Sequence, residues 1–258
     1  MLFPFSFLQS QSSPLLLDLY PSAAAAYSVR KLRTAYTGST IRVRRSSDNA
    51  ESDIGFSGAN LDTTALTTFC SGTNGFVTTW YDQSGNGLNQ TQTTAINQPQ
   101  IVSSGSVILQ GGKPTLQFDG TSDFMDGSGV TTGDPKSIFI PTKAISLPST
   151  EVVIFDSVTT TQALLYKAAG NAISIGFGSF TPTSYTATTN YILYSILQNG
   201  SNSNAFVNSA TQILTNVPLG TNAFNGLRIA SVRGTASLFY NGNIPEFIVY
   251  GSNQASNR

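Results

Sequence analysis

The sequence predicts an all-β protein, a jelly-roll-like sandwich with one or two short helices near its N-terminus. Three observations predict it. From Gly75 onward the apolar residues recur at every second position in short runs, such as FVTTWYD, PTLQFD, EVVIFD, AISIGFG and EFIVYG. Gly, Asn, Pro and Ser punctuate those runs, the pattern of a sandwich or barrel. The chain has 258 residues, with 40% hydrophobic and only 10% charged, against roughly 25% charged in an ordinary soluble domain. Its polar surface must therefore come from Ser, Thr, Asn and Gln.

Taken in order, residues 1–20 read as an extended apolar arm and 21–258 as the sandwich. MLFPFSFLQSQSS has no Lys or Arg ahead of its apolar residues, and Pro4 interrupts it, which argues against a secretory signal. Leu2, Phe3, Phe5 and Phe7 would be exposed if left alone, so the arm is expected to dock on a partner. Residues 21–37, PSAAAAYSVRKLRTAYT, open on Pro, carry an alanine run and precede Gly38. Those are helix punctuation marks and predict the longest helix. TIRVRR at 40–45 alternates as a strand, and Asp62 is placed to cap a short helix over TTALTTF. Asn199-Gly200 and Asn241-Gly242 are tight-turn signals.

Composition excludes several chemistries. Thirteen basic and thirteen acidic residues balance, so nucleic acid is not expected as a partner. Arg30, Lys31, Arg33, Arg42, Arg44 and Arg45 read as a solvated face, with Asp48, Glu51 and Asp53 as ion-pair partners. No stretch approaches 18 apolar residues, so no membrane span is expected. The chain has no histidine and a single cysteine. Ser-His-Asp and Cys-His catalysis and an intrachain disulfide are excluded, and a zinc site is disfavoured. Cys70 reads as a small buried hydrophobe.

Two clusters carry possible chemistry. Asp119, Asp123, Asp126 and Asp134 lie in FDGTSDFMDGSGVTTGD, which reads first as turn chemistry and second as a Ca²⁺ loop. No other cofactor is expected. In VTTWYDQSGNG, alternation puts Val77, Thr79 and Tyr81 on one face and Thr78, Trp80 and Asp82 on the other. The only tryptophan reads as core, and Asp82 and Gln83 as bonded to the turn that follows. Trp80, Tyr81, Asp82 and Gln83 are nonetheless the best small-site candidate, since an aromatic, a carboxylate and an amide suit sugar hydroxyls.

AYSVRKLRTAYTGSTIRVRRSSDN (26–49), DIGFSG, VTTWYDQSGNG, NQPQIV and KPTLQFDG together resemble the catalytic domain of fungal-type α-L-arabinofuranosidases. They resemble more closely the concanavalin A/laminin-G-like relatives of that domain in phage and bacterial proteins. The last stretch, SLFYNGNIPEFIVYGSNQASNR, is similar to the closing strands of those relatives. The resemblance implies a retaining glycosidase, with a Glu nucleophile in the stretch matching 171–178 and an Asp acid/base in the stretch matching 228–234. Neither stretch has a carboxylate here, and none occurs between Asp156 and Glu246.

The expectation is therefore a non-enzyme: a structural virion protein of a bacteriophage, in a tail, fibre or capsid decoration, made in the bacterial cytoplasm. It would contact other virion proteins through its arm, form a homo-oligomer or join a larger assembly, and present its sandwich to host-surface glycans. The rival readings are a secreted carbohydrate-binding module and an α-L-arabinofuranosidase-type glycosidase.

Overall fold

A computed structural model describes residues 13–157, 162–166, 172–232, 234 and 237–257, and of 162–166 the backbone only. Two short helices, α1 (Leu16–Leu19) and α2 (Thr63–Phe69), stand in the N-terminal part. The strands up to residue 119 are β1 (Ala23–Ser28), β2 (Ile41–Arg45), β3 (Glu51–Ile54), β4 (Phe56–Ser57), β5 (Asn60–Leu61), β6 (Gly75–Trp80), β7 (Gln90–Thr91), β8 (Gln100–Ser103), β9 (Ser106–Val107), β10 (Leu109–Gln110), β11 (Lys113–Pro114) and β12 (Leu116–Asp119). There follow β13 (Met125–Thr132), β14 (Lys136–Ala144), β15 (Val152–Ser157), β16 (Gln162–Tyr166), β17 (Ala172–Phe177), β18 (Phe180–Thr186), β19 (Ile192–Gln198), β20 (Ser203–Val207), β21 (Thr211–Val217), β22 (Phe224–Ile229), β23 (Asn241–Ile244) and β24 (Glu246–Tyr250).

These strands make an antiparallel sandwich. One sheet runs β1-β24-β14-β19-β20-β21. The other runs β18-β17-β16-β15-β22-β13 and continues through β7 to β6, β2 and β3. From β6 a branch leads through β8 and β12 to β23. β14 is long enough to serve both sheets: Ser137–Phe139 pair with β24, whereas Lys143 and Ala144 pair with β23. Phe155 meets Phe247 of the other sheet edge-on at 5.2 Å and stacks on Phe224 of its own sheet at 6.0 Å. Each such ring contributes roughly 1.5–3 kcal/mol by leaving water.

The long helix expected over 21–37 does not form. Ala23–Ser28 is β1, paired antiparallel with β24 except for a bulge at Ala24. Ala25 faces the main core, and Ala26 faces a smaller cluster with Leu17, Leu32 and Ile248. A strand buried on both faces between close layers needs small side chains, and that demand overrides alanine's helix preference. Asn241-Gly242 is likewise no turn, since it opens β23. Gly242 is there because a Cβ would sit 2.3 Å from the Tyr240 ring. Asn199-Gly200 does lie in the turn between β19 and β20, with Gly200 at φ +54°. Met125–Thr132, read as acidic loop, is a strand whose register against β22 jumps between Gly127 and Thr131.

Other expectations hold. The Asp62 carboxylate accepts from the Ala65 N–H at 2.9 Å and caps α2. Cys70 and Trp80 are fully buried. Arg42 pairs with Asp53, and Arg45 with Asp48. The arm residues Leu2, Phe3, Phe5 and Phe7 lie outside the described residues. No described helix is long and apolar enough to cross a membrane.

Candidate functional site

The Trp80–Gln83 stretch is a joint between strands. A bulge in β6 against Arg42 and Val43 breaks the strict alternation, so Val77 and Trp80 both reach the core. The Asp82 carboxylate accepts from Ala26 N–H (2.9 Å), Ser84 N–H (2.9 Å), Ser84 Oγ (2.7 Å) and Leu88 N–H (3.1 Å). Gly85 and Gly87, at φ +99° and +72°, give the left-handed turns that bring Leu88 back. Gln83 reaches across to the chain after β1: Leu32 N–H donates to its oxygen (2.8 Å), and its amide donates to Ser28 O (2.9 Å) and Arg30 O (3.0 Å). Tyr81 remains half-buried and donates to Asp53 Oδ1 at 2.7 Å. Burial, then that bond, pushes its phenol up to about 12. Trp80, Asp82 and Gln83 are thus enclosed, and the polar groups of Asp82 and Gln83 are bonded within the fold.

A different set of charges converges in the second sheet. Arg228, on β22, lies opposite Asp126 of β13 on one side and Asp156 of β15 on the other. Its guanidinium grips Asp126 with two bonds, at 2.8 and 2.7 Å, and lies 4.1 Å from the Phe124 ring centroid. Asp156 is only 3% exposed and accepts from Ser157 N–H at 2.7 Å. Two strand spacings set the Cα atoms of the two aspartates about 10 Å apart. On β17 of the same sheet, Ser174 is fully buried, and its Oγ has no protein partner. Sequence reasoning missed this row because its members lie 30 and 102 positions from Asp126, and only strand order joins them.

A cleft of about 600 Å³ opens over β2, β6, β8, β12 and β23. Arg44, Gln98, Gln100, Gln117, Asp123 and Asn241 line it, with Asp119 beside them. Asp119 ties its own turn, accepting from the N–H groups of Thr121 (2.8 Å), Ser122 (2.9 Å) and Asp123 (3.0 Å) and from both hydroxyls. Burial alone would raise its carboxyl, but those donors outweigh burial and hold it at about 2. Burial, and then the Asp119 charge, push Asp123 up to about 7. An acid raised in the folded state favours folding while protonated. Its contribution is complete below about pH 4, the unfolded value, and is lost as pH rises to about 7. Asp123→Asn should therefore flatten the fall in melting temperature between pH 4 and 7, and it should melt higher than the parent at pH 8. An unchanged pH profile would refute this. The calcium reading loses its geometry, because Asp126 faces Arg228 and Asp134 accepts from Gly200 N–H. Among the described residues no three acidic, His or Cys side chains are grouped for a metal.

Comparison with known proteins bears on this chain in two ways. The family model described as the catalytic domain of α-L-arabinofuranosidase B matches residues 18–109. α-L-Arabinofuranosidase B of Penicillium canescens is 40% identical over 74 residues, covering 28% of this chain and 16% of that protein. An α-L-arabinofuranosidase of Hypocrea jecorina is 41% identical over 73 residues, covering 28% and 15%. Among solved structures, a GH54 α-L-arabinofuranosidase soaked with a cyclic sulfate inhibitor superposes with a TM-score of 0.69 at 16% identity, over 91% of this chain and 61% of that one. An arabinofuranosidase complexed with arabinofuranosyl-α-1,2-xylobiose gives 0.66 at 16% identity with the same coverage.

This chain is related to the α-L-arabinofuranosidase catalytic domain. The structural likeness fixes the jelly-roll-like sandwich, and the sequence match falls on the N-terminal third. The match spans about a sixth of the length of the curated relatives. These relatives overturn the bacteriophage virion reading and the virion location expected with it, because the matched proteins are fungal enzymes. They overturn the non-enzyme reading as well, since they are glycosidases. That reading rested on the lack of any carboxylate within 171–178 and 228–234. The sheet instead brings Asp126 and Asp156 to Arg228 from strands outside both.

Proposed function

We propose that this arabinofuranosidase-like chain is a glycoside hydrolase domain acting on α-L-arabinofuranosyl groups. The observation that carries the reading is the match of residues 18–109 to the α-L-arabinofuranosidase B catalytic model. The shared sandwich over 91% of the chain supports it.

Glycoside hydrolysis needs two carboxyl groups flanking the bond to be cut, one to protonate the leaving oxygen and one to attack or to activate water. Asp126 and Asp156 flank Arg228 in one row of side chains and are the pair we place in those roles. Asp156 is the enclosed member and takes the proton-donating role. Asp126, gripped and oriented by Arg228, takes the role of nucleophile or base. The test is release of 4-nitrophenol from 4-nitrophenyl α-L-arabinofuranoside. Asp126→Asn and Asp156→Asn are each expected to lower kcat by ~10²–10⁴-fold, with circular dichroism and melting checked for each variant. No release above the buffer rate by the parent chain would sink the hydrolase reading. Parent activity retained in both folded variants would sink the residue assignment alone.

A further inference from the structure

We propose that the cleft beside Arg44 is a second carbohydrate site, which takes an acidic glycan segment with a uronate carboxylate on the Arg44 guanidinium. None of the three residues of the Asp126–Arg228–Asp156 row lines this cleft, and the site does not depend on hydrolysis.

The first support is how Arg44 is held. Arg30, Arg42, Arg45 and Arg228 each close an ion pair with a carboxylate, at 2.7–2.8 Å. Arg44 does not. Its Nε donates to Gln98 Oε1 (2.7 Å), one Nη to Asn49 Oδ1 (2.8 Å) and the other to Ala95 O (3.2 Å), all neutral acceptors. The Phe76 ring supports it, 5.0 Å from the guanidinium carbon. Gln98, only 3% exposed, is itself fixed by donating to Gln92 O at 3.0 Å. A guanidinium has five N–H groups, so two remain for a ligand. A cation fixed in advance by neutral partners binds an anion without the usual ordering cost.

The second support is the rest of the wall. The Gln117 side chain makes no hydrogen bond to any described residue and is half-exposed in the cleft. Gln100 and Asn241 each keep an amide oxygen without a donor among the described residues. Carboxamides of this kind match sugar hydroxyls. Ile96 and Ile145, 78% and 45% exposed, offer apolar surface at the rim for a ring's C–H face. The volume lies in the range of ligand pockets, roughly 300–1,000 Å³. One guanidinium matches one negative charge, and the Asp119 carboxylate in the same wall disfavours a doubly charged phosphate. A carboxylate carried on a hydroxyl-rich ring satisfies both conditions.

The experiment is calorimetric titration of the full chain with trigalacturonate and, separately, with its methyl ester, which keeps the shape and removes the charge. The acid is expected to bind at least about tenfold more tightly than the ester. Arg44→Gln should erase that difference while leaving the melting temperature near the parent value. Should that variant unfold, Gln117→Ala, on the far wall, is expected to weaken both ligands by a similar factor. Equal affinity for acid and ester, survival of the preference in folded Arg44→Gln, displacement of the sugar by millimolar inorganic phosphate, or no binding of either sugar would each overturn the proposal.

Discussion

Replacing Trp80 by alanine should destabilise the domain by about 3–5 kcal/mol, a large share of the 5–15 kcal/mol that holds a typical domain together. Trp80 is fully buried, and its ring centroid lies 5.9 Å from that of Tyr27. It packs where β1 meets the end of β6, beside the isolated bridge between Tyr27 and Asp82. The cavity left by an alanine has nothing to fill it, because the neighbouring residue Tyr27 is pinned through its hydroxyl to Leu88 O. Trp80→Phe should cost far less. The indole Nε1 is buried and has no hydrogen-bond partner among the described residues, and an unpaired buried donor costs about 1–3 kcal/mol. Phenylalanine removes that donor while keeping most of the ring. Denaturant titration of both variants separates packing from hydrogen bonding. Similar losses for alanine and phenylalanine would show that ring volume is not what Trp80 contributes.

The second large effect is expected at Asp82. Its carboxylate satisfies three backbone N–H groups and one hydroxyl, and it ties Ala26 of β1 to the turn after β6. Asp82→Ala leaves Ala26 N–H, in a strand with no exposed surface there, without an acceptor. A hydrogen bond to a charged group contributes about 1.5–3 kcal/mol, so loss of this set should cost about 3 kcal/mol or more. Asp82→Asn retains one acceptor oxygen but turns an NH₂ toward Ser84 and Leu88, which also donate, and it should fall between alanine and the parent. Amide exchange at Ala26 and Leu88 is the direct readout. An asparagine variant with parent protection at both amides would mean the turn does not need the carboxylate.

Local features of this protein are legible in its sequence and long-range ones are not. The cap of α2 lies three residues from the N–H it satisfies. Arg42–Asp53 and Arg45–Asp48 span one hairpin and one turn, so spacing alone suggests them. The runs after Gly75 read as strands because β-branched and aromatic residues fill them and Gly, Asn, Pro and Ser bound them. Ala23–Ser28 misleads because both its faces are buried, which removes alternation and selects alanine, the best helix former. Met125–Thr132 misleads because a bulged strand tolerates glycine and aspartate as a loop does. At the candidate site, the resemblance to arabinofuranosidases was readable from 26–49 and 77–87. Absence of carboxylates in two short segments then argued for a loss of activity. A sheet recruits side chains from any strand that pairs into it, and Asp126 and Asp156 enter from strands those segments do not contain.

The position of β24 has a consequence for how this chain comes off the ribosome. It lies between β1 and β14, yet it is made after every other described strand. Until Tyr250 has emerged, β1 and one side of β14 present unpaired backbone edges, the kind of surface that pairs with neighbouring chains. Most of the closing contacts of this sheet join residues more than a hundred positions apart, a topology that folds slowly. Synthesis therefore creates an interval in which the other described strands are present but the sheet is open between its edge strand β1 and β14. Crowded nascent chains are most exposed to mutual capture during that interval, and the alanine-rich first strand is the segment waiting longest for its partner.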